Sequence, residues 1–138
     1  MTIVATYLGI IGEVESMKHS AGFLKFVGDA KTRVREVSVE EARKRLASGE
    51  NVHLIDVRED NEWQAGHAQG AAHLGRGIIE RDIEKEVPDK KTELILYCGG
   101  GYRSALVADN LQKMGYTNVH SIVGGWKAWK EAGLPIED

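Results

Sequence analysis

This sequence predicts an α/β domain built on a parallel sheet, and three observations lead there. Short apolar runs, Val52–Val57, Leu94–Tyr97 and Val119–Val123, have the length and composition of buried parallel strands. Between and around them, apolar residues recur at helical spacing, so that strands alternate with helices. Glycine and proline stand at the joins rather than inside the runs. Right-handed crossovers in such a fold carry successive strand ends to one side, where ligands of open α/β sheets bind.

In chain order, the apolar run Ile3–Ile11 is compatible with an edge strand, a partner-docking tail or a frayed terminus. From Ser20 a helix is predicted by Phe23, Val27, Ala30 and Val34. Asp29 stands four residues before Arg33 in support, and Gly28 weakens it. Ser38 and Glu41 have capping-box spacing ahead of the stripe Val39, Ala42, Leu46, and Gly49 ends that helix. The strand Val52–Val57 finishes in Asp56-Val57-Arg58, and Asp60 is expected to cap a short helix through Trp63 to Ala65. Gly66–Ala71 reads as a loop, Ala71–Leu74 as a short strand, and Ile79, Ile83 and Val87 as a helix stopped by Pro88. After Leu94–Tyr97, a stripe of Val107, Ala108, Leu111 and Met114 gives a helix with Ser104 near its start and Gly115 as its stop. Gly124-Gly125 then makes a turn into a helix Trp126–Ala132, closed by Gly133 and Pro135.

With 138 residues the chain can bury a real core as one domain. Its single cysteine excludes an intramolecular disulfide and, with no secretory signal, suits a reducing cytoplasm. Charges of both signs are interleaved for a net −3, which offers nothing to nucleic acid or anionic lipid. Ile3–Ile11 falls far short of the roughly 20 residues a membrane span needs and lacks a basic flank. His19, His53, His67, His73 and His120 make no metal-ligand spacing, so neither metal nor cofactor is assigned. Nothing in the sequence specifies an oligomeric state.

The chemistry concentrates at Leu94–Ser104, L-I-L-Y-C-G-G-G-Y-R-S. Cys98 is offered at a strand end. Gly99, Gly100 and Gly101 form a loop suited to turning backbone N–H groups inward, and the loop leads into a helix N-terminus. Those N–H groups, the helix end and Arg103 all favour thiolate over thiol, which makes Cys98 a candidate nucleophile. The bland reading, a small core hydrophobe, wastes three glycines and leaves the Arg103 spacing accidental.

These residues resemble the rhodanese family of sulfurtransferases, single-domain type. Leu54–Ala71, L-I-D-V-R-E-D-N-E-W-Q-A-G-H-A-Q-G-A, is similar to its first signature, and C-G-G-G-Y-R-S to its active-site loop. Gly124-Gly125-Trp126, Trp129, Gly133 and Pro135 are similar to its C-terminal signature. The resemblance spans about Val34–Ile136 and implies a central, mostly parallel five-stranded sheet flanked by helices on both faces. It divides the chain into a rhodanese-like domain, 34–138, and an N-terminal extension, 1–33. By position it implies a persulfide-forming Cys98, a substrate cradle from Gly99 to Arg103 that includes Tyr102, and supporting roles for Asp56, Arg58 and Ser104. Gln69 departs from the proline common in relatives and affects loop stiffness. Arg103 is the loop's single cation, where relatives that use thiosulfate well often carry more basic loops.

The expected reaction moves sulfane sulfur from thiosulfate or a persulfide, small-molecule or protein-borne, to a thiol or cyanide acceptor through a Cys98 persulfide. Two competitors remain: a docking or regulatory module on the same fold, and a cysteine-dependent phosphatase or arsenate reductase. The latter family places five residues between cysteine and arginine to enclose a tetrahedral oxyanion, whereas Cys98 and Arg103 have four between them. Among neighbouring residues, Arg58 and Glu62, four apart, are expected to form an ion pair. Asp56 is equally readable as a buried anchor for loop N–H groups. Trp126 is a candidate pocket wall, and Tyr102 either contacts substrate or shields the thiol.

Overall fold

The computed structural model describes residues 19–48 and 51–138. Strands β1 (Arg35–Val37), β2 (Val52–Asp56), β4 (Ala72–His73), β5 (Glu93–Tyr97) and β6 (Val119–Ile122) form one sheet in the order β1-β6-β5-β2-β4, all pairs parallel. A separate antiparallel ribbon pairs β3 (His67–Ala68) with β7 (Ile136–Glu137). The helices are α1 (Ala21–Lys31), α2 (Val39–Ala47), α3 (Asp60–Gln64), α4 (Ile79–Glu86), α5 (Tyr102–Lys113) and α6 (Gly125–Glu131).

Both faces of β5 are covered, and this is why Leu94–Tyr97 is an unbroken apolar run. One face presents Ile55, Leu94 and Leu96 to Ile79 and Ile83 of α4 and to Val107 and Leu111 of α5. The other presents Leu54, Ile95, Tyr97 and Ile122 to Ala42 of α2 and Trp129 of α6. α1 forms an outer layer beyond α5: Val27 and Ala30 pack on Ala105 and Leu106, and Arg33 holds Asp109 through two bonds of 2.9 Å. The Asp29–Arg33 pair of the sequence is made at 3.0 Å, and nothing lies within 4 Å of a Cβ built on Gly28, which therefore faces open space.

Several local expectations are refined. Ser38 Oγ accepts the Glu41 N–H at 3.1 Å, but the Glu41 carboxylate turns to Arg45 instead of completing the box. α3 begins one residue earlier than a cap at Asp60 would give: the extended residue is Glu59, whose N–H donates to Glu62 Oε1 at 3.1 Å. The short strand β1, two of its three residues exposed, lies at the sheet edge and is held by β6, so it carries no apolar run to be found. The run Ile3–Ile11 and the helix stop at Gly49 lie outside the described residues. No helix among the described residues is long and apolar enough to cross a membrane.

Candidate active site

Cys98 follows β5 directly and is 1% exposed. Its Sγ accepts the Gly101 N–H at 3.1 Å and the Ser104 N–H at 3.4 Å, and it lies 3.5 Å from Ser104 Oγ. Ser104 Oγ is in turn 2.7 Å from Ser121 Oγ on β6. The sulfur thus has partners from the loop and the first turn of α5, and Ser121 on β6 reaches it only through Ser104.

The loop holds this shape because its glycines stand where side chains do not fit. Gly101 has φ +98, a conformation L side chains rarely adopt, and a Cβ there would press on Ile122 O and Gly124 N, both at 3.2 Å. The N-terminus of α6 closes from the other side: the Trp126 N–H donates to Cys98 O at 2.7 Å and the Lys127 N–H to Gly99 O at 3.2 Å. That approach needs Gly125, whose Cβ would overlap Cys98 O.

Arg103 is clamped by Glu62 of α3, Nη1 to Oε1 at 2.6 Å and Nη2 to Oε2 at 3.0 Å. The bidentate geometry fixes the plane of the guanidinium beside the thiol. The Glu62 hydrogen bonds, and secondarily the Cys98 sulfur, hold Arg103 more firmly protonated than an ordinary arginine, against the opposing effect of burial. Glu62 is correspondingly lowered below the usual carboxylate range, chiefly by Arg103. Its partner is therefore Arg103, 41 positions away, and not Arg58.

Asp56 and Arg58 lie at the same end of the sheet as Cys98 but on the opposite face. In the strand register Asp56 is beside Tyr97, and side-chain alternation turns both away from the thiol. Arg58 donates to both Asp56 carboxylate oxygens, at 2.8–3.1 Å, and to Gly66 O at 2.7 Å, with both side chains buried. Burial works against the Arg58 charge, but Asp56 more than offsets it and the guanidinium pKa is raised. Asp56 also accepts the Arg58 backbone N–H at 2.8 Å, so it anchors its own strand end and not the Cys98 loop. Arg58 sits 4.8 Å from the Trp126 ring centroid, which makes Trp126 a brace under α6 and leaves it outside the pocket.

A cavity of about 350 Å³ opens over Cys98, lined by His19, Phe23, Gly100, Tyr102, Arg103 and Lys127. Tyr102 lines its mouth, 4.5 Å from the His19 ring and 6.2 Å from that of Phe23. Glu62, Ser121, His19, Phe23 and Lys127 join the site unforeseen by the sequence reading. Glu62 sits inside the first signature and Lys127 within the span of the third, and nothing local tied Glu62 to Arg103 or Lys127 to the thiol. Among the described residues no three metal-type side chains gather. His67 instead stacks on Trp63, and His73 donates through Nε2–H to the Arg58 backbone carbonyl oxygen at 2.8 Å.

Residues 38–132 match the family described as the Rhodanese-like domain. A thiosulfate sulfurtransferase of Actinobacillus succinogenes, GlpE, is 36% identical over 91 residues, 64% of this chain and 78% of that protein. A Bacillus subtilis protein named for sulfur carriage, YrkF, is 28% identical over 127 residues, 89% of this chain; the chain spans 66% of its length, just under two thirds. The solution structure of a polysulfide-sulfur transferase homodimer from Wolinella succinogenes superposes with a TM-score of 0.74 at 29% identity, covering 89% of this chain and 92% of that one.

Proposed function

The chain belongs to the rhodanese-like domain family, proteins similar to it include named sulfurtransferases, and we propose that it transfers sulfane sulfur through a persulfide on Cys98. The observation that carries this reading is the pair of backbone N–H groups, Gly101 and Ser104, that donate to Sγ beside a cavity lined by Arg103. An anionic sulfur gains from such fixed donors in a water-poor site, and no side chain must move to supply them.

In the first half-reaction the Cys98 thiolate attacks the terminal sulfur of a donor R–S–SH. A new S–S bond forms as the donor's S–S bond breaks, and the electron pair leaves on R–S⁻ while the proton stays with the transferred sulfur. In the second, an acceptor thiolate or cyanide attacks that outer sulfur and returns the Cys98 thiolate. Both steps are redox-neutral and need no cofactor. A single reactive thiol of this kind suits a reducing compartment such as the cytoplasm.

The site's tightness favours sulfur over a tetrahedral oxyanion, because only four residues separate Cys98 from Arg103 and Arg103 is already occupied by Glu62. The test is intact-protein mass spectrometry of the reduced protein after exposure to thiosulfate, an organic persulfide or inorganic polysulfide, beside Cys98→Ala. One added sulfur on the wild type alone, removed by cyanide, is the expected result. No adduct from any donor, with Cys98 still open to alkylation, would turn the assignment to a non-catalytic docking module.

A further inference from the structure

The lining of the cavity over Cys98 combines two chemistries, aromatic and cationic. Three of its residues form a cluster of rings: His19 and Phe23, centroids 5.3 Å apart, meet Tyr102 at 4.5 and 6.2 Å. Phe23 lies in the first turn of α1 and His19 just before it, both outside the part of the chain that the family match covers, and Tyr102 opens α5. The lining also carries two cations of different status. Arg103 has its charge matched by the bidentate Glu62 carboxylate, whereas Lys127, exposed at the start of α6, makes no ion pair with any described residue. A volume of about 350 Å³ is at the small end of small-molecule sites, so the occupant is one compact molecule.

Thiosulfate fits this cavity badly, since it has no carbon to cover the rings and brings two negative charges to one unmatched cation. An organic persulfide with a short carbon body and one carboxylate matches each feature once. Resting on the sulfur-transfer reading, we infer that the donor is a low-molecular-weight, carboxylate-bearing organic persulfide, its carbon body against the His19–Phe23–Tyr102 cluster and its carboxylate at Lys127. α1 is then a specificity element of the site as well as a layer of the fold.

The experiment compares the persulfides of 3-mercaptopropionate and cysteamine, which share a two-carbon body and differ in end charge, with thiosulfate and inorganic polysulfide. Rates of sulfur loading onto Cys98 are followed by mass spectrometry in the wild type, Lys127→Glu and Phe23→Leu. The ratio of two donors within one variant is independent of how much of that variant is folded. The wild type should prefer the carboxylate persulfide over the amine by about fivefold or more, the worth of one exposed charge contact. It should prefer it over thiosulfate by at least as much. Lys127→Glu should abolish or invert the charge preference, and Phe23→Leu should lower the ratio of organic persulfide to polysulfide. Thiosulfate loading as fast as the carboxylate persulfide, or a charge preference unchanged in Lys127→Glu, would overturn the inference while sulfur transfer stood. Failure of every donor, polysulfide included, would instead remove the sulfur-transfer reading and this inference with it.

Discussion

Two arginine–carboxylate clamps stand at the same end of the sheet, back to back across it. Asp56–Arg58 is sealed, with side-chain exposures of 0% and 3%, and touches neither the thiol nor the cavity. Glu62–Arg103 has the same bidentate chemistry at 31% and 27% exposure, and it borders Cys98. A buried pair is strong evidence of a position that must be filled and weak evidence of net stabilisation, because desolvation cancels much of the attraction. A half-exposed pair contributes little to stability, so its value lies in where it puts the guanidinium. The same two residue types therefore serve as a brace on one face and a positioning device on the other, and burial separates the roles.

The largest effect should come from breaking the sealed clamp. Arg58→Met strands the Asp56 charge in the interior, and urea unfolding should show a loss of about 3–5 kcal/mol. Adding Asp56→Asn should restore most of that loss, since the asparagine oxygen can still accept the Arg58-position backbone N–H, 2.8 Å away in the wild type. Sulfur loading per folded molecule should stay near wild type in the double variant. If loading collapsed while stability returned, the brace would have to be counted as part of the site.

The open clamp should respond in the opposite sense. Glu62→Gln keeps the size but gives up the matched charge and the second acceptor, and a partly exposed pair of this kind is worth about 1 kcal/mol of stability. The rate of sulfur loading should nonetheless fall about tenfold, as expected when a positioned group near the reacting atoms loses its orientation. Comparable losses in stability and rate would erase the distinction between the clamps.

How far the sequence could see follows the same division between local and distant. The parallel sheet, the helix α5 and the cysteine loop were legible because each is written in contiguous residues: an apolar run, three glycines, a stripe at helical spacing. Both α2 and α4 were legible for that reason too. β1 was not, since Arg35 and Glu36 form an edge strand whose only apolar member is Val37, and the β3–β7 ribbon joins two-residue segments whose partners are 68 and 70 positions apart. Glu62 was misassigned because helical spacing offered a nearer arginine, Arg58, and only the fold shows that Arg58 is spent on Asp56. His19, Phe23 and Lys127 had no local signal at all; they reach the cavity because α1 packs on α5 and α6 docks on the loop.

The smallest effect is a pH dependence, and its sign follows from the open clamp. Glu62 is lowered from its ordinary value of 4.5, first by the hydrogen bonds of Arg103, with burial opposing. The folded protein thus binds a proton here less readily than the unfolded chain, so the contribution of the pair is fully present above about pH 4.5 and is lost as pH falls through the lower folded value. No change from this group is expected at neutral pH. On acidification the wild type should lose its advantage over Glu62→Gln, and the two loading rates should converge below the folded Glu62 value. A rate ratio between wild type and Glu62→Gln that stayed constant from neutral pH down to the acid unfolding limit would show that the ionised carboxylate is not what holds Arg103 at the thiol.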